Sequence, residues 1–249
     1  MEKVKVYYRL SDHGYQKIKP DFINNEKCLN NFLRNFMELK NTDLVHDDDI
    51  IVIADGVSDN TFDWLKNKNI NVERTQFGSG GHSWNYTLDE AVKLEDDTIV
   101  YFVEDDYLHL PNSRNILIEA FTQLGAHYVS LYDHPDKYID ADRGGNPYIR
   151  GGGEDTTVVR TKSCHWKITN STTMTFASRV RTLKEDFDIL KKWTIGNHTP
   201  SIAKGYPEDM HMFVELRNEK QRALVTPLPG FSTHGETNFL TPYRDWSKV

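Results

Sequence analysis

Apolar positions gather into short strand-like runs through the first half of the chain. Val4 to Tyr8, Ile50 to Ala54 and Thr98 to Val103 are close to continuous in apolar side chains, as strands buried on both faces are. Between them the period changes. Leu29, Phe32, Leu33, Phe36 and Met37 recur at helical spacing, and so do Trp84, Leu88, Ala91 and Val92 after the glycines of Phe77-Gly78-Ser79-Gly80-Gly81. Ile116, Leu117, Ala120 and Phe121 mark a helix that starts near Pro111. A short helix over Thr61 to Lys68 and short strands over Ile70 to Arg74 and Tyr128 to Tyr132 complete the alternation. This order predicts an α/β fold with a mostly parallel central sheet and helices on both faces.

The second half reads differently. Asp133 to Asp155 is polar, rich in Gly, Asp and Arg, and ends near Gly151-Gly152-Gly153; a loop of that length is usually functional or disordered. Thr172 to Ala177 is expected to be a strand. Thr182-Leu183-Lys184-Glu185 has the form of a capping box opening a helix through Phe187 and Leu190, and Tyr206-Pro207-Glu208-Asp209 opens another. With no repeat and no linker, one domain over 1–249 is expected: a nucleotide-type half to about 132 and a more variable half from about 133.

Composition narrows the class. The 249 residues are 38% hydrophobic and 27% charged, and 30 Lys and Arg against 37 Asp and Glu give a net charge of −7, which argues against general nucleic-acid binding. Cys28 and Cys164 lack metal-type spacing and read as reduced thiols. No apolar run reaches the roughly 18 residues that span a bilayer, and Met1-Glu2-Lys3 runs directly into the first strand. The expectation is a soluble, cytoplasmic protein without membrane insertion.

Chemistry enters at the strand ends, where open parallel sheets bind ligands. Ile50 to Ala54 ends in Asp55-Gly56-Val57-Ser58-Asp59-Asn60, and Ile99 to Val103 ends in three consecutive carboxylates, Glu104, Asp105 and Asp106. Adjacent negative charges repel unless a cation or donor sits with them. Hard divalent cations prefer carboxylate oxygens and link them to phosphates. Asp55 to Asn60 is equally readable as a turn with an N-cap.

The order of these motifs (strand–Asp-Gly-x-Ser-Asp-Asn-Thr, a Gly-rich turn entering a helix, strand–Glu-Asp-Asp, and a Glu-Asp pair opening a late helix) resembles family 2 glycosyltransferases of the GT-A fold, most strongly from Val4 to Leu131 and again from Pro207 to Phe213. The resemblance implies a GT-A-like sheet with an acceptor-side second half. It implies transfer of one sugar from a nucleoside-diphosphate sugar, UDP favoured, to a hydroxyl of a glycan or other acceptor, with inversion and with Mn or Mg as cofactor. The loop Arg9-Leu10-Ser11-Asp12 would lie against the nucleoside, Asp55 would contact its base or ribose, and Glu104-Asp105-Asp106 stands at the family's D-x-D position with Asp106 on the metal. Asp209 matches the catalytic base, with Glu208 beside it, and His234 is in place as an extra metal ligand. Two departures stand out: the first D-x-D acid is Glu, and the Q-x-x-R-W motif of processive synthases is absent, which points to one sugar per encounter.

The residues alone leave alternatives open. Acids in a helix's first turn are favoured by its dipole, by roughly 0.3–1 kcal/mol each, and Pro207 suits the first helical position, so Glu208 and Asp209 also read as helix-start residues. Gly78, Gly80 and Gly81 read as a plain turn or as an approach to phosphate at a helix N-terminus, with Gly80 and Asn85 then facing the donor. Trp84, Trp166 and Tyr107 are core or, for the last two, sugar-stacking residues. His234 reads as an exposed loop residue or a ligand. A nucleotidylyltransferase acting on a sugar phosphate would need a Gly-rich triphosphate loop, and Arg9 to Lys19 holds only Gly14. A catalytically inactive nucleotide-sugar-binding module is the non-enzyme alternative.

Overall fold

A computed structural model describes residues 2–13, 18–37, 49–195, 198–199 and 205–249; Gly14 lies outside them. In chain order the elements are β1 (Val4–Leu10), α1 (Asn25–Asn35), β2 (Ile50–Asp55), α2 (Asp59–Lys66), β3 (Asn71–Thr75) and α3 (Gly80–Ala91). Then come β4 (Ile99–Glu104), β5 (Tyr107–His109), α4 (Ser113–Gln123), β6 (Tyr128–Val129), β7 (Val158–Arg160) and β8 (His165–Thr169). The chain closes with β9 (Phe176–Arg179), α5 (Val180–Glu185), α6 (Phe187–Thr194), α7 (Asp209–Lys220), β10 (Leu224–Leu228) and β11 (Ser232–His234).

These elements form two compact units, each drawn from three stretches of the chain. The first comprises Met1–Gln16, Asn41–Asp105 and Thr173–Arg222. Its strands run in the order β3-β2-β1-β4-β9, the first four parallel and β9 antiparallel to β4. Parallel register brings Leu10, Asp55, Thr75 and the end of β4 to one sheet edge, with Arg9 directly opposite Glu104. Val52, Ile53, Tyr101, Phe102 and Val103 are fully buried, as their unbroken apolar run requires. Trp84 of α3 packs its ring 5.1 Å from Phe102 and 5.8 Å from Phe176, and Phe213 of α7 meets Phe176 edge-on. Ser58 and Ser79 cap α2 and α3 by accepting from Thr61 and His82 N–H.

The second unit comprises Lys17–Lys40, Asp106–Thr172 and Ala223–Val249. There β6 lies parallel to β10, β10 and β8 pair antiparallel, β8 pairs antiparallel with β7, and β5 pairs separately with β11. Helix α1 covers β5: Asn31 accepts from His109 N–H and Asn35 donates to its carbonyl, both at 2.7 Å. His109 is a core residue, its pKa pushed down to about 3 by burial.

Three expectations need correction. The strand expected from Thr172 begins only at Phe176, because Thr173 and Met174 adopt φ of 45° and 58°, which no extended strand accommodates. Thr182 is not an N-cap. Helix α5 already starts at Val180, and the N–H groups of Val180 and Arg181 are taken by the carbonyls of Thr98 and Asp96, so the neighbouring turn does the capping. The strand expected over Tyr128 to Tyr132 stops at Val129, leaving Tyr132 a single bridge to Ser232. Among the described residues, no helix is long and apolar enough to cross a membrane.

Gly81 shows why one glycine of the Gly-rich turn is there. Its N–H donates to the Gly205 carbonyl at 3.1 Å, and a Cβ would lie 2.1 Å from the Thr194 carbonyl oxygen and 2.7 Å from that of Gly205. Gly81→Ala is therefore expected to lower unfolding stability by about 1–3 kcal/mol, measured by urea denaturation. Gly153→Ala, whose added methyl meets nothing within 4 Å, should stay within about 0.5 kcal/mol.

Candidate active site

The first unit's sheet edge is organised by Arg9. It is buried, and its guanidinium donates to Glu104 Oε1 at 3.1 Å, to the Gly80 carbonyl at 3.0 Å and, more weakly, to the Met174 carbonyl at 3.5 Å. One side chain thus joins the ends of β1 and β4, the start of α3 and the 173–174 turn. The pairing with Glu104 follows from register, since the two residues are opposed on adjacent parallel strands. Glu104 is fixed from its backbone too, its N–H donating to Thr175 Oγ1 at 3.1 Å.

The other residues that the resemblance assigns to a sugar donor fall around this edge, each with its own partner. Ser11 donates its N–H to Asp105 Oδ2 at 2.8 Å. Asp12 accepts from Ser58 N–H and the Thr61 hydroxyl at the start of α2; burial works against its charge, yet these bonds hold its carboxyl below the ordinary range. Asp55 is buried and accepts from Phe77 N–H at 2.5 Å, Gly78 N–H at 3.1 Å and the Thr75 hydroxyl at 3.0 Å. Its carboxylate therefore shapes the turn that leads into α3. Asn85 is buried on α3, and neither its Oδ1 nor Arg9 Nε has a hydrogen-bond partner among the described residues.

Asp209 opens α7 and its Oδ2 accepts from Thr173 N–H at 2.8 Å. Thr173 and Met174 are consecutive left-handed residues, a conformation costing of order 1–3 kcal/mol per residue and typical of functional sites. Asp209 holds the first of them and Arg9 reaches the second, so the base candidate and the guanidinium act on adjacent residues of one strained turn. Glu208 has different partners. It is buried, and it accepts from His198 and Thr199 N–H and from the Thr199 hydroxyl. Burial works to raise its pKa, but the bonds from Thr199 and His198, with His211 nearby, hold it below the ordinary value. It is an ionised anchor for the 198–199 segment.

In the second unit, the carboxylate of Asp106 is buried, with His234 Nε2 at 3.3 Å and Lys19 Nζ at 3.2 Å from the same oxygen, Oδ2. His234 is 1% exposed, so it is not an exposed loop histidine. Glu236 lies 4.0 Å from its other ring nitrogen and the Tyr107 ring packs 5.3 Å away. Within this unit, the Asp106 carboxylate and His234 offer ligand atoms that could hold a metal ion. Tyr107 and Trp166 are wholly buried and bonded to the Thr172 carbonyl and the Thr161 hydroxyl, which makes them core residues.

The polar 133–155 stretch carries a network that the sequence did not announce. Lys167 on β8 is 3% exposed and pairs with Asp133 at 2.9 Å and Glu154 at 3.4 Å, so one buried ammonium ties both ends of the stretch. Tyr138 donates to Asp133 at 2.7 Å, and its ring lies under the same ammonium. Lys19, Lys167 and the Thr173–Met174 turn are the residues that sequence reasoning missed. Nothing local in the sequence marks them, because each acquires its part from a partner far along the chain.

Comparison with solved structures identifies the scaffold. The chain superposes on GalNAc-T7, solved with UDP, GalNAc and Mn2+, with a TM-score of 0.56 and 12% identity over 94% of this chain and 44% of that one. It superposes on S. aureus TarS 1-349 with a TM-score of 0.51 and 14% identity over 90% of this chain and 57% of that one. The fold is that of the GT-A glycosyltransferases. The chain thus spans about half the length of these GT-A structures. No protein-family model matches it, and no curated protein matches it by sequence.

Two measurements test the geometry. Arg9→Met strands a partly buried Glu104 and should cost about 2–3 kcal/mol, the lower end for a broken buried pair because Glu104 keeps some contact with water. Adding Glu104→Gln should return part of that loss in a double-mutant cycle, and strictly additive effects would contradict the coupling. For Glu208, a carboxyl held low in the folded state adds stability above its unfolded pKa of about 4.3, which is lost as pH falls through the lower folded value. Glu208→Gln should therefore be less stable than wild type at pH 7, with a shallower decline below about pH 5 in chemical denaturation.

Proposed function

We propose that this protein is a metal-dependent, inverting glycosyltransferase that moves one sugar from a UDP-sugar to an acceptor hydroxyl. The observation that carries the reading is the 173–174 turn, which brings the Arg9 guanidinium and the Asp209 carboxylate onto neighbouring residues at the edge where open parallel sheets bind ligands. The GT-A fold supports it, as do the UDP and Mn2+ named for GalNAc-T7 and the UDP-GlcNAc named for a complex of TarS 1-349, whose TM-score with this chain is 0.50.

In this reading Arg9, Ser11, Asp55, Gly80, Asn85, Glu104 and Asp105 build the donor side. The buried Arg9 Nε and Asn85 Oδ1 are the kind of polar atoms that a bound ligand satisfies. Asp55 acts on the nucleoside through the turn it holds at Phe77 and Gly78. Asp106 and His234, with Glu104 two residues away in the chain, hold Mn or Mg. Their donor atoms fit that part: two neighbouring ligands of an octahedral ion at about 2.1 Å stand about 3 Å apart, and Asp106 Oδ2 and His234 Nε2 are 3.3 Å apart. A bound divalent ion would neutralise charge on the diphosphate.

Asp209 takes the proton from the acceptor hydroxyl as that oxygen bonds to the anomeric carbon. The bond from that carbon to the diphosphate breaks on the opposite side, its electron pair leaving on the phosphate oxygen, so configuration inverts. The segment from 133 onward supplies the acceptor side.

The test is a panel of UDP-sugars with Mn or Mg, scored for UDP release and for product anomer by NMR. Asp209→Asn should keep the fold and donor affinity while transfer drops by roughly 10²–10⁴, the worth of a general base. If Asp209 only starts the helix, the change costs about 1 kcal/mol of stability or less and turnover survives. Asp106→Ala should abolish metal-dependent UDP binding in calorimetry. Retained anomeric configuration in the wild-type product would overturn the mechanism.

A further inference from the structure

We propose that Lys19 is the exchangeable counter-ion of Asp106: its ammonium occupies the carboxylate until a divalent cation takes its place. This rests on the metal reading above and adds to it a competitor built into the chain. Three observations lead there.

First, Asp106 is 5% exposed, and a buried carboxylate needs a positive partner. Lys19 Nζ supplies one at 3.2 Å.

Second, Lys19 and His234 address the same oxygen, Oδ2, from 3.2 and 3.3 Å. An ion bound through that oxygen would sit against the ammonium, and two cations sharing one carboxylate oxygen repel. Exchange is favoured over joint occupancy. Glu236, 4.0 Å from the far nitrogen of His234, adds negative charge that either cation would satisfy.

Third, the two basic side chains paired with the acidic triplet differ in exposure. Arg9 is 6% exposed and tied to Glu104, Gly80 and Met174, so it is fixed. The Lys19 side chain is 32% exposed and ends in a point charge on a flexible four-carbon stem, so water can solvate its ammonium when a metal takes its place. His234, at 1% exposure and packed on Tyr107, stays to act as a ligand. Once displaced, the ammonium remains tethered beside the metal, where it can pair with an anionic diphosphate. Metal-free protein thus keeps Asp106 compensated, and metal affinity in the absence of nucleotide is held down by the competitor.

The test measures Mn2+ binding to the purified protein without nucleotide, by calorimetry and by loss of the free-ion paramagnetic signal. Lys19→Met keeps the stem and removes the charge. It should tighten Mn2+ binding by about tenfold, the scale of a partly shielded ammonium–carboxylate pair. Lys19→Arg should stay near wild type, and Asp106→Asn should lose binding. Thermal unfolding in chelator should show Lys19→Met below wild type, with a larger upward shift on adding Mn2+. Unchanged or weaker Mn2+ binding in Lys19→Met, with wild-type binding intact and dependent on Asp106, overturns this proposal and leaves the metal site standing. No Mn2+ binding by wild type or by Lys19→Met overturns the metal site and this proposal with it. Should Lys19→Met fail to fold, Lys19→Gln carries the same comparison.

Discussion

The first unit depends on one buried positive charge. A guanidinium held at 6% exposure would be costly without partners, and Arg9 finds them on three separate segments: Glu104 on β4, the Gly80 carbonyl at the start of α3, and the Met174 carbonyl. Each of those segments is positioned by what it gives to Arg9. Register makes the central pair unavoidable, because parallel pairing sets Arg9 opposite Glu104. A lysine here would gather its donors on one compact nitrogen, whereas the planar fork of Arg9 reaches the Gly80 carbonyl with Nη1 and Glu104 and the Met174 carbonyl with Nη2.

The strained turn shows what this arrangement supports. Thr173 and Met174 both lie in the left-handed region without being glycine, and such residues persist only where their surroundings over-determine them. Asp209 grips the Thr173 N–H and Arg9 reaches the Met174 carbonyl. The bond from Thr173 N–H also fixes the Asp209 carboxylate at the start of α7. Strain here and alignment there are two consequences of one set of bonds.

The three consecutive acids are separated in the same way. Glu104 goes to Arg9, Asp105 to the Ser11 N–H, and Asp106 to Lys19 and His234. Giving each a different partner offsets their mutual repulsion, and of these partners Lys19 sits on a partly exposed, flexible stem. Further along, Lys167 does for Asp133 and Glu154 what Arg9 does for its neighbours, turning a polar loop into a pinned one.

Much of this was legible in the amino-acid order. Unbroken apolar runs and 3.6-residue periodicity report local burial directly, so β1, β2, β4, α1, α3 and the mixed α/β class could be read from Val4, Ile50 or Leu29 and their neighbours. The acids at strand ends were legible for the same reason, since a strand's end is a local event. The second half was not. Thr172 to Ala177 has strand-forming residues, yet Asp209 and Arg9 bend its start into a left-handed turn. Thr182 has the chemistry of a cap, yet the carbonyls of Thr98 and Asp96 cap α5 two residues earlier. By itself the sequence determined which segments are buried and where charge accumulates, because hydrophobic periodicity and residue type are local. Only the tertiary structure decided which charge meets which, because Lys19 and His234 reach Asp106 across 87 and 128 residues of chain, and no local pattern encodes a partner at that separation.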